Sequence, residues 1–271
     1  MRKIAIIGGT GIADPSNNKT LQPLVIQTPF GPAKCYCGEM AGNQVAFLSR
    51  HGLGHVVPPS KVNYRANIWA LKSLGVEEIF ATTAVGSLNR TMEAGDFVVC
   101  DQILDFTKNR INTFYNGEGQ LVAHADFTNP YCPRLRKLVQ TCLQDLKIKY
   151  HAKGCYVCTE GPRFETAAEI KMYALMGGDL VGMTNMPEAI LAREAEMCYV
   201  NCSLVTNAAA GISDKLLSHE EVLTAMQKMS AKMNELIAAF IKAPEDTASC
   251  TCAHTMREFG GFQLNSFSNV K

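Results

Sequence analysis

The sequence predicts a single α/β domain, a central mixed β-sheet flanked by helices. Three observations carry that prediction. Short apolar runs of strand length alternate along the chain with segments whose apolar residues recur at helical spacing. No internal repeat and no Pro-rich linker divides the 271 residues. Apolar residues make up 47% and charged residues 19%, with a mean hydropathy of -0.01, which excludes wholesale disorder.

Taken in order, residues 4–7 form an all-apolar run broken by Gly8 and Gly9, suited to a strand buried on both faces. Residues 34–37 and 44–48 read as a strand pair joined through 38–43. Over 62–74, Ile68, Leu71 and Leu74 share a helical face, with Ser60 as candidate cap. Residues 78–83 are β-rich and run into Ala84-Val85-Gly86-Ser87, a buried strand entering a glycine turn, and 97–104 read as a further strand. From 105 to 130 the chain is polar, rich in Asn, Gly and Phe, and without a period. Such long excursions tend to carry function. Helix 133–146 sets Leu135, Leu138, Val139, Cys142 and Leu146 inward. Strand 154–159, helix 165–176, strand 180–183 and helix 187–196 follow, the last with Pro187 in its first turn and Asn185 and Glu188 in a capping pattern. Residues 198–206 form an apolar strand and 207–214 a Gly/Ala loop. A long helix over 219–241, opened by Ser218 and Glu221, buries Val222, Met226, Met229, Met233, Leu236 and Phe240. The domain therefore spans 1–243, and 244–271 read as a loosely ordered C-terminal tail.

Lys and Arg total 26 against 25 Asp and Glu, a net charge of +1. Proteins that neutralise nucleic-acid phosphates carry a basic excess that is absent here. No apolar run approaches the ~20 residues that span a bilayer, and the run after Arg2-Lys3 is too short for a signal-peptide core. A cytoplasmic protein without nucleic-acid or membrane partners is expected. The 11 cysteines lie in apolar surroundings and read as reduced core residues. Cys155 and Cys158 have redox-motif spacing, but they sit in a strand and lack a second pair for zinc. Cys250-Thr251-Cys252 is open to a local disulfide or an accidental pairing. No metal site is assigned.

Ligands of such sheets gather at strand ends, so the loops there are the candidates for chemistry. Gly8-Gly9-Thr10-Gly11 lets the backbone approach an anion, with Thr10 adding a hydroxyl. The acidic residue ~20 positions on that a dinucleotide fold needs is missing, and so is the Gly-Lys-Ser/Thr of a Walker loop. Arg50 and His51 suit a phosphate, Arg50 through its fork of donors. Amides and the Thr83 hydroxyl in Thr82–Thr83-Ala84 suit the same anion. Thr159-Glu160-Gly161-Pro162-Arg163-Phe164-Glu165-Thr166 offers a stacking face in Phe164 and an acceptor for ring N–H groups in Glu165. Asn207, a lone amide ending a buried strand, could read a purine edge bearing an oxo group. Each has a purely structural alternative: a strand turn, a surface Arg beside a packing His, a helix-start dipole partner, a turn-making Asn.

Together these loops resemble the trimeric purine nucleoside phosphorylases and the closely related methylthioadenosine phosphorylases, over about residues 1–241. The pieces that carry the resemblance are Gly8-Gly9-Thr10-Gly11, Arg50-His51-Gly52 with the 59–67 segment after it, residues 82–87, residues 160–166, and Gly182-Met183-Thr184 followed by Pro187-Glu188. It implies a nucleoside-phosphorylase-like fold and phosphorolysis: nucleoside plus phosphate gives purine and ribose 1-phosphate. Inorganic phosphate is then a co-substrate, with no metal or organic cofactor. Thr10, Arg50, His51, Thr83, Ala84 and Thr184 would bind phosphate, and Met183 would pack under the ribose. Phe164, Glu165 and Asn207 would hold the base, Glu165 and Asn207 acting in catalysis. His124 would reach a neighbouring subunit's site, which implies a homotrimer.

The methylthioadenosine branch places Asp at the positions of Asn207 and Ala209. An amide can donate to a 6-oxo oxygen, so the expected substrates are inosine and guanosine. His219 matches the His that bonds a 5'-hydroxyl in the 6-oxopurine enzymes. S-methyl-5'-thioinosine, giving hypoxanthine and 5-methylthioribose 1-phosphate, is the alternative, since His55, the 59–67 segment and the loop from Asn207 to Gly211 resemble bacterial methylthioinosine phosphorylases. A non-catalytic nucleoside-binding module is a remote alternative.

Overall fold

A computed structural model describes residues 1–9, 15–52, 54, 56–115, 117, 122–213, 219–245 and 248–267, with the side chains of His219 and Glu221 outside that description. Its strands are β1 (Lys3–Gly8), β2 (Leu21–Thr28), β3 (Gly31–Met40), β4 (Asn43–Ser49), β5 (Glu78–Ser87), β6 (Phe97–Val99), β7 (Gln102–Phe106), β8 (Tyr150–His151), β9 (Cys155–Thr159), β10 (Leu180–Gly182) and β11 (Cys198–Ala208). They form one mixed 11-stranded sheet in the order β2-β3-β4-β1-β5-β10-β9-β7, with β11 on β5, β6 on β11 and β8 on β6. The helices are α1 (Tyr64–Ser73), α2 (Pro133–Asp145), α3 (Ala167–Leu175), α4 (Asn185–Glu194) and α5 (His219–Lys242).

β1 explains its own composition. Ala5 and Ile7 enter a core shared with Ile68, Leu71 and Leu191 of α1 and α4, while Ile4 and Ile6 enter one shared with Leu135, Val139, Leu236 and Phe240 of α2 and α5. Each face of the strand is covered by helices, so each residue must be apolar. β5 then positions the site. Residues 78–81 pair with β1 and Gly86 and Ser87 pair antiparallel with β10, while β11 pairs along the other edge. Between them, residues 82–85 of β5 have no strand neighbour on the β1/β10 side among the described residues. The sheet is open there, at the point where strand direction changes.

Several expectations are corrected. β2 carries no alternating pattern in the sequence, because consecutive apolar residues, Leu24 and Val25, are both exposed. The strand expected over 97–104 is two, β6 and β7, which leave each other to pair with different partners. α1 is capped by the Asn63 side chain, which accepts from the Ala66 amide, rather than by Ser60. Asn185 and Glu188 form no capping box, because Tyr131 donates to Asn185 and Glu188 binds Arg50. α3 carries the capping box instead, between Thr166 and Glu169. Ser218 lies outside the described residues. The segment read as a loose tail is packed where it is described: Cys252, Met256, Phe262 and Phe267 are buried. The Glu196 carboxylate accepts from the Met256 and Phe262 amides.

Candidate active site

The gap beside β5 opens on a cavity of ≈ 420 Å³. Arg50, His51, Thr83, Ala84, Phe164, Glu165, Met183, Thr184 and Asn207, all singled out from sequence, line it together. Thr10 lies outside the described residues, and so does the side chain of His219. His124 is exposed and is not part of the lining.

Arg50 follows β4 and is 2% exposed. Its Nε and Nη2 donate to the two Glu188 oxygens at 2.6 and 2.7 Å, and Nη1 donates to the Thr82 carbonyl at 3.0 Å. Burial opposes the guanidinium's charge, but Glu188 more than offsets it, and the pKa of Arg50 is raised. Tyr199 donates to the same carboxylate at 2.8 Å and fixes it. Arg50 so held forms part of the cavity wall. His51 shares a 2.8 Å bond between Nδ1 and the Val57 carbonyl. A carbonyl only accepts, so Nδ1 carries the proton, and Nε2 can donate only as part of an imidazolium.

The 160–166 loop follows β9. Glu165 accepts from the Thr159 hydroxyl at 2.6 Å, and burial raises its pKa above the ordinary glutamate value despite that bond. Gly161 has a φ of +66°, and a Cβ there would meet the Met183 sulfur at 2.5 Å. Glycine thus lets this loop close over Met183. In β11 the register shifts between Val205 and Asn207. That bulge re-aims Asn207 into the cavity, where its carbonyl accepts from Thr206 at 2.7 Å and its amide donates to the Ala208 carbonyl at 2.9 Å.

Sequence reasoning missed Arg110. Its Nη1 donates to the Met183 and Met186 carbonyls at 2.7 and 2.6 Å, and its Nη2 to the Thr159 and Glu160 carbonyls at 3.2 and 2.8 Å. It joins the two loops that carry Met183, Thr184, Phe164 and Glu165. An arginine in an aperiodic polar stretch gave no signal of this. Glu188 and Thr159 were visible in quoted motifs but were not read as the partners of Arg50 and Glu165.

Residues 3–242 match the model of the phosphorylase superfamily. The chain belongs to that superfamily. A probable 6-oxopurine nucleoside phosphorylase of Dictyoglomus turgidum is 54% identical, over 95% of this chain and 97% of that protein. A 6-oxopurine nucleoside phosphorylase of Pyrococcus furiosus is 53% identical, over 95% and 98%. Among solved structures, a methylthioadenosine phosphorylase from Schistosoma mansoni in complex with adenine superimposes with a TM-score of 0.85 at 35% identity, over 89% of this chain and 91% of that one. In this superfamily member no described helix is long and apolar enough to cross a membrane.

Proposed function

We propose that the chain catalyses phosphorolysis of 6-oxopurine nucleosides, inosine and guanosine, to the free base and ribose 1-phosphate. The observation that carries the reading is one cavity that joins a guanidinium held charged by Glu188 to a base-reading amide, Asn207, and an acceptor, Glu165. A phosphate oxygen attacks C1' as the C1'–N9 bond breaks, and the bonding pair leaves with the purine. Arg50, His51, Thr83, the Ala84 amide and Thr184 hold the phosphate, with Thr10 completing the set. Clamped in place, the dianion is both nucleophile and counter-charge to the ribosyl cation. Asn207 donates to the leaving base, Glu165 accepts from N1–H, Phe164 packs on the ring and Met183 under the ribose. The names of the D. turgidum and P. furiosus relatives support this substrate class. The reaction uses no metal or organic cofactor in the site. A cytoplasmic homotrimer, with His124 of each subunit turned to a neighbour's site, fits the resemblance on which the reading began.

Inosine with phosphate should yield hypoxanthine, and omitting phosphate should abolish turnover. Equal turnover without phosphate would identify a hydrolase, and nucleoside binding indifferent to phosphate would revive the non-catalytic module. One observation favours a second reading for the 5' end: Val56, Val57, Pro58, Pro59 and Val222 give the same cavity an apolar wall. That wall suits a methylthio group, whereas His219 is assigned to a 5'-hydroxyl. Comparing kcat/KM for inosine and S-methyl-5'-thioinosine separates the two readings.

A further inference from the structure

Four of the cysteines, from three separate stretches of the sequence, meet away from the nucleoside cavity. Cys132 is the N-cap residue of α2, Cys198 opens β11, and Cys250 and Cys252 belong to the C-terminal segment. Their Sγ atoms all lie within 4.8 Å of one another, with Cys198 and Cys250 3.4 Å apart. Three of the four are buried and Cys250 is half-buried. Four thiolates around one zinc ion at ~2.3 Å make a tetrahedron with edges of ~3.8 Å, which is the scale of this cluster. The sulfurs also meet as one set rather than as separate pairs. Cys132 contacts both Cys198 and Cys252, and Cys198 contacts Cys252 as well as Cys250.

The surroundings are built for sulfur that carries negative charge. Arg134 Nη2 donates to Cys198 at 3.5 Å and Arg193 Nη1 donates to Cys252 at 3.5 Å. Cys132 caps α2, so its sulfur lies at the positive end of the helix, beside the first backbone N–H groups. A neutral thiol is a weak acceptor, whereas a thiolate at a helix N-terminus beside arginine is a strong one. Four thiolates on a divalent cation leave a double negative charge, which Arg193 and Arg134 offset in part, Arg134 being paired with Glu78 at 2.7 Å as well. Donors to the ligand sulfurs are the outer layer that metal sites use to fix their ligands.

From this convergence we infer that Cys132, Cys198, Cys250 and Cys252 bind one thiophilic, tetrahedral divalent cation, zinc by the chemistry of the donors, and that the ion fastens the C-terminal segment to the body. All four positions come from the protein, so the site is closed to substrate and structural. Its role is independent of the phosphorolysis proposed above.

The test uses the full chain from zinc-supplemented cells, purified without oxygen under a phosphine reductant. Elemental analysis should find about one zinc per chain, and a mercurial that titrates the four thiols should release it. Cobalt(II) exchanged into the site should give the intense visible bands of a tetrahedral tetrathiolate. The double variant Cys250→Ser/Cys252→Ser should lose zinc at least about tenfold and unfold at lower temperature, while retaining nucleoside turnover below that transition. Should the variant fail to fold, wild-type stoichiometry and the cobalt spectrum still decide. A wild-type protein so prepared that lacks zinc, peptide mapping that finds the four cysteines in disulfides, or undiminished zinc in the double variant would each overturn the assignment.

Discussion

Asn207 and Glu165 are both held by a neighbouring threonine hydroxyl, and the difference between an amide and a carboxylate sets what each can read. An aspartate at 207 would keep the bond from Thr206 but lose both amide N–H groups, the one given to the Ala208 carbonyl and the one we propose for a 6-oxo oxygen. Asn207→Asp is therefore expected to shift the kcat/KM ratio of adenosine to inosine upward by about 10- to 100-fold, the range a buried donor-acceptor mismatch commands. Parallel losses on both nucleosides, with the ratio constant, would show that this residue does not select the base. Glu165 gives a pH dependence. Burial raises its pKa above 4.5, so on acidification it takes up a proton sooner than an ordinary glutamate and stops accepting from N1–H. Its acid limb in kcat/KM should thus lie above the usual glutamate range, with activity lost as pH falls. Glu165→Gln should abolish that limb and leave only the one due to phosphate's own ionisation; an unchanged profile would contradict the role.

At the scale of elements, the site exists because β1 and β10 share one edge of β5 without meeting, and Arg110 ties the loops around the resulting gap. Arg110→Met would strand the carbonyls of Thr159, Glu160, Met183 and Met186 together. We expect kcat to fall and KM to rise, with kcat/KM down about 10- to 100-fold in a protein that still folds, because the base and ribose loops lose a common anchor. Arg110→Lys should rescue little, since an ammonium lacks the planar fork that serves both loops. Full activity in either variant would make Arg110 a packing residue only. The sequence made the strands and their exits legible for a physical reason. A strand covered on both faces must be apolar throughout, as in Ile4-Ala5-Ile6-Ile7, and the turn that follows must be small where a side chain packs on it, as at Gly9, where a Cβ would lie 3.2 Å from Arg50 Nη1. Arg110 was illegible for the opposite reason. Four of its partners are backbone carbonyls, which every residue has, and its side-chain partners Tyr64 and Glu160 come from distant segments that meet it only in the fold. The Arg50–Glu188 pair was half visible, each member inside a motif, but the partnership arises only when β4 and α4 are folded against each other.

For the molecule as a whole, the C-terminal segment is the part whose contribution the chain's periodicity hid. It runs through 3-10 turns at Cys252–His254, Arg257–Phe259 and Leu264–Phe267, so its apolar residues follow neither a strand nor a helix period. Yet Phe267 is fully buried, with its ring 5.2 Å from Phe262, 5.7 Å from Phe114 and 5.9 Å from Phe30. Phe114 belongs to the same excursion as Arg110, and its amide donates to the buried Glu194 carboxylate. Three stretches far apart in sequence thus share one aromatic cluster. Removing the ring at its centre should leave a cavity the neighbours fill only in part. Phe267→Ala is expected to cost about 3–5 kcal/mol of unfolding free energy, read from the denaturant midpoint at constant slope. Phe267→Leu, which keeps most of the volume, should cost well under half as much. Glu194 predicts how that stability responds to pH. Burial raises its pKa to about 7 against 4.5 for the free side chain, despite the bonds from Phe114 and Thr113. Between those values the folded chain binds the proton that the unfolded chain has released, so this residue makes stability fall as pH rises through that window. Glu194→Gln should flatten the fall by up to about 3 kcal/mol. A wild-type curve and a variant curve running parallel from pH 4.5 to pH 7 would show that the carboxyl carries no such load.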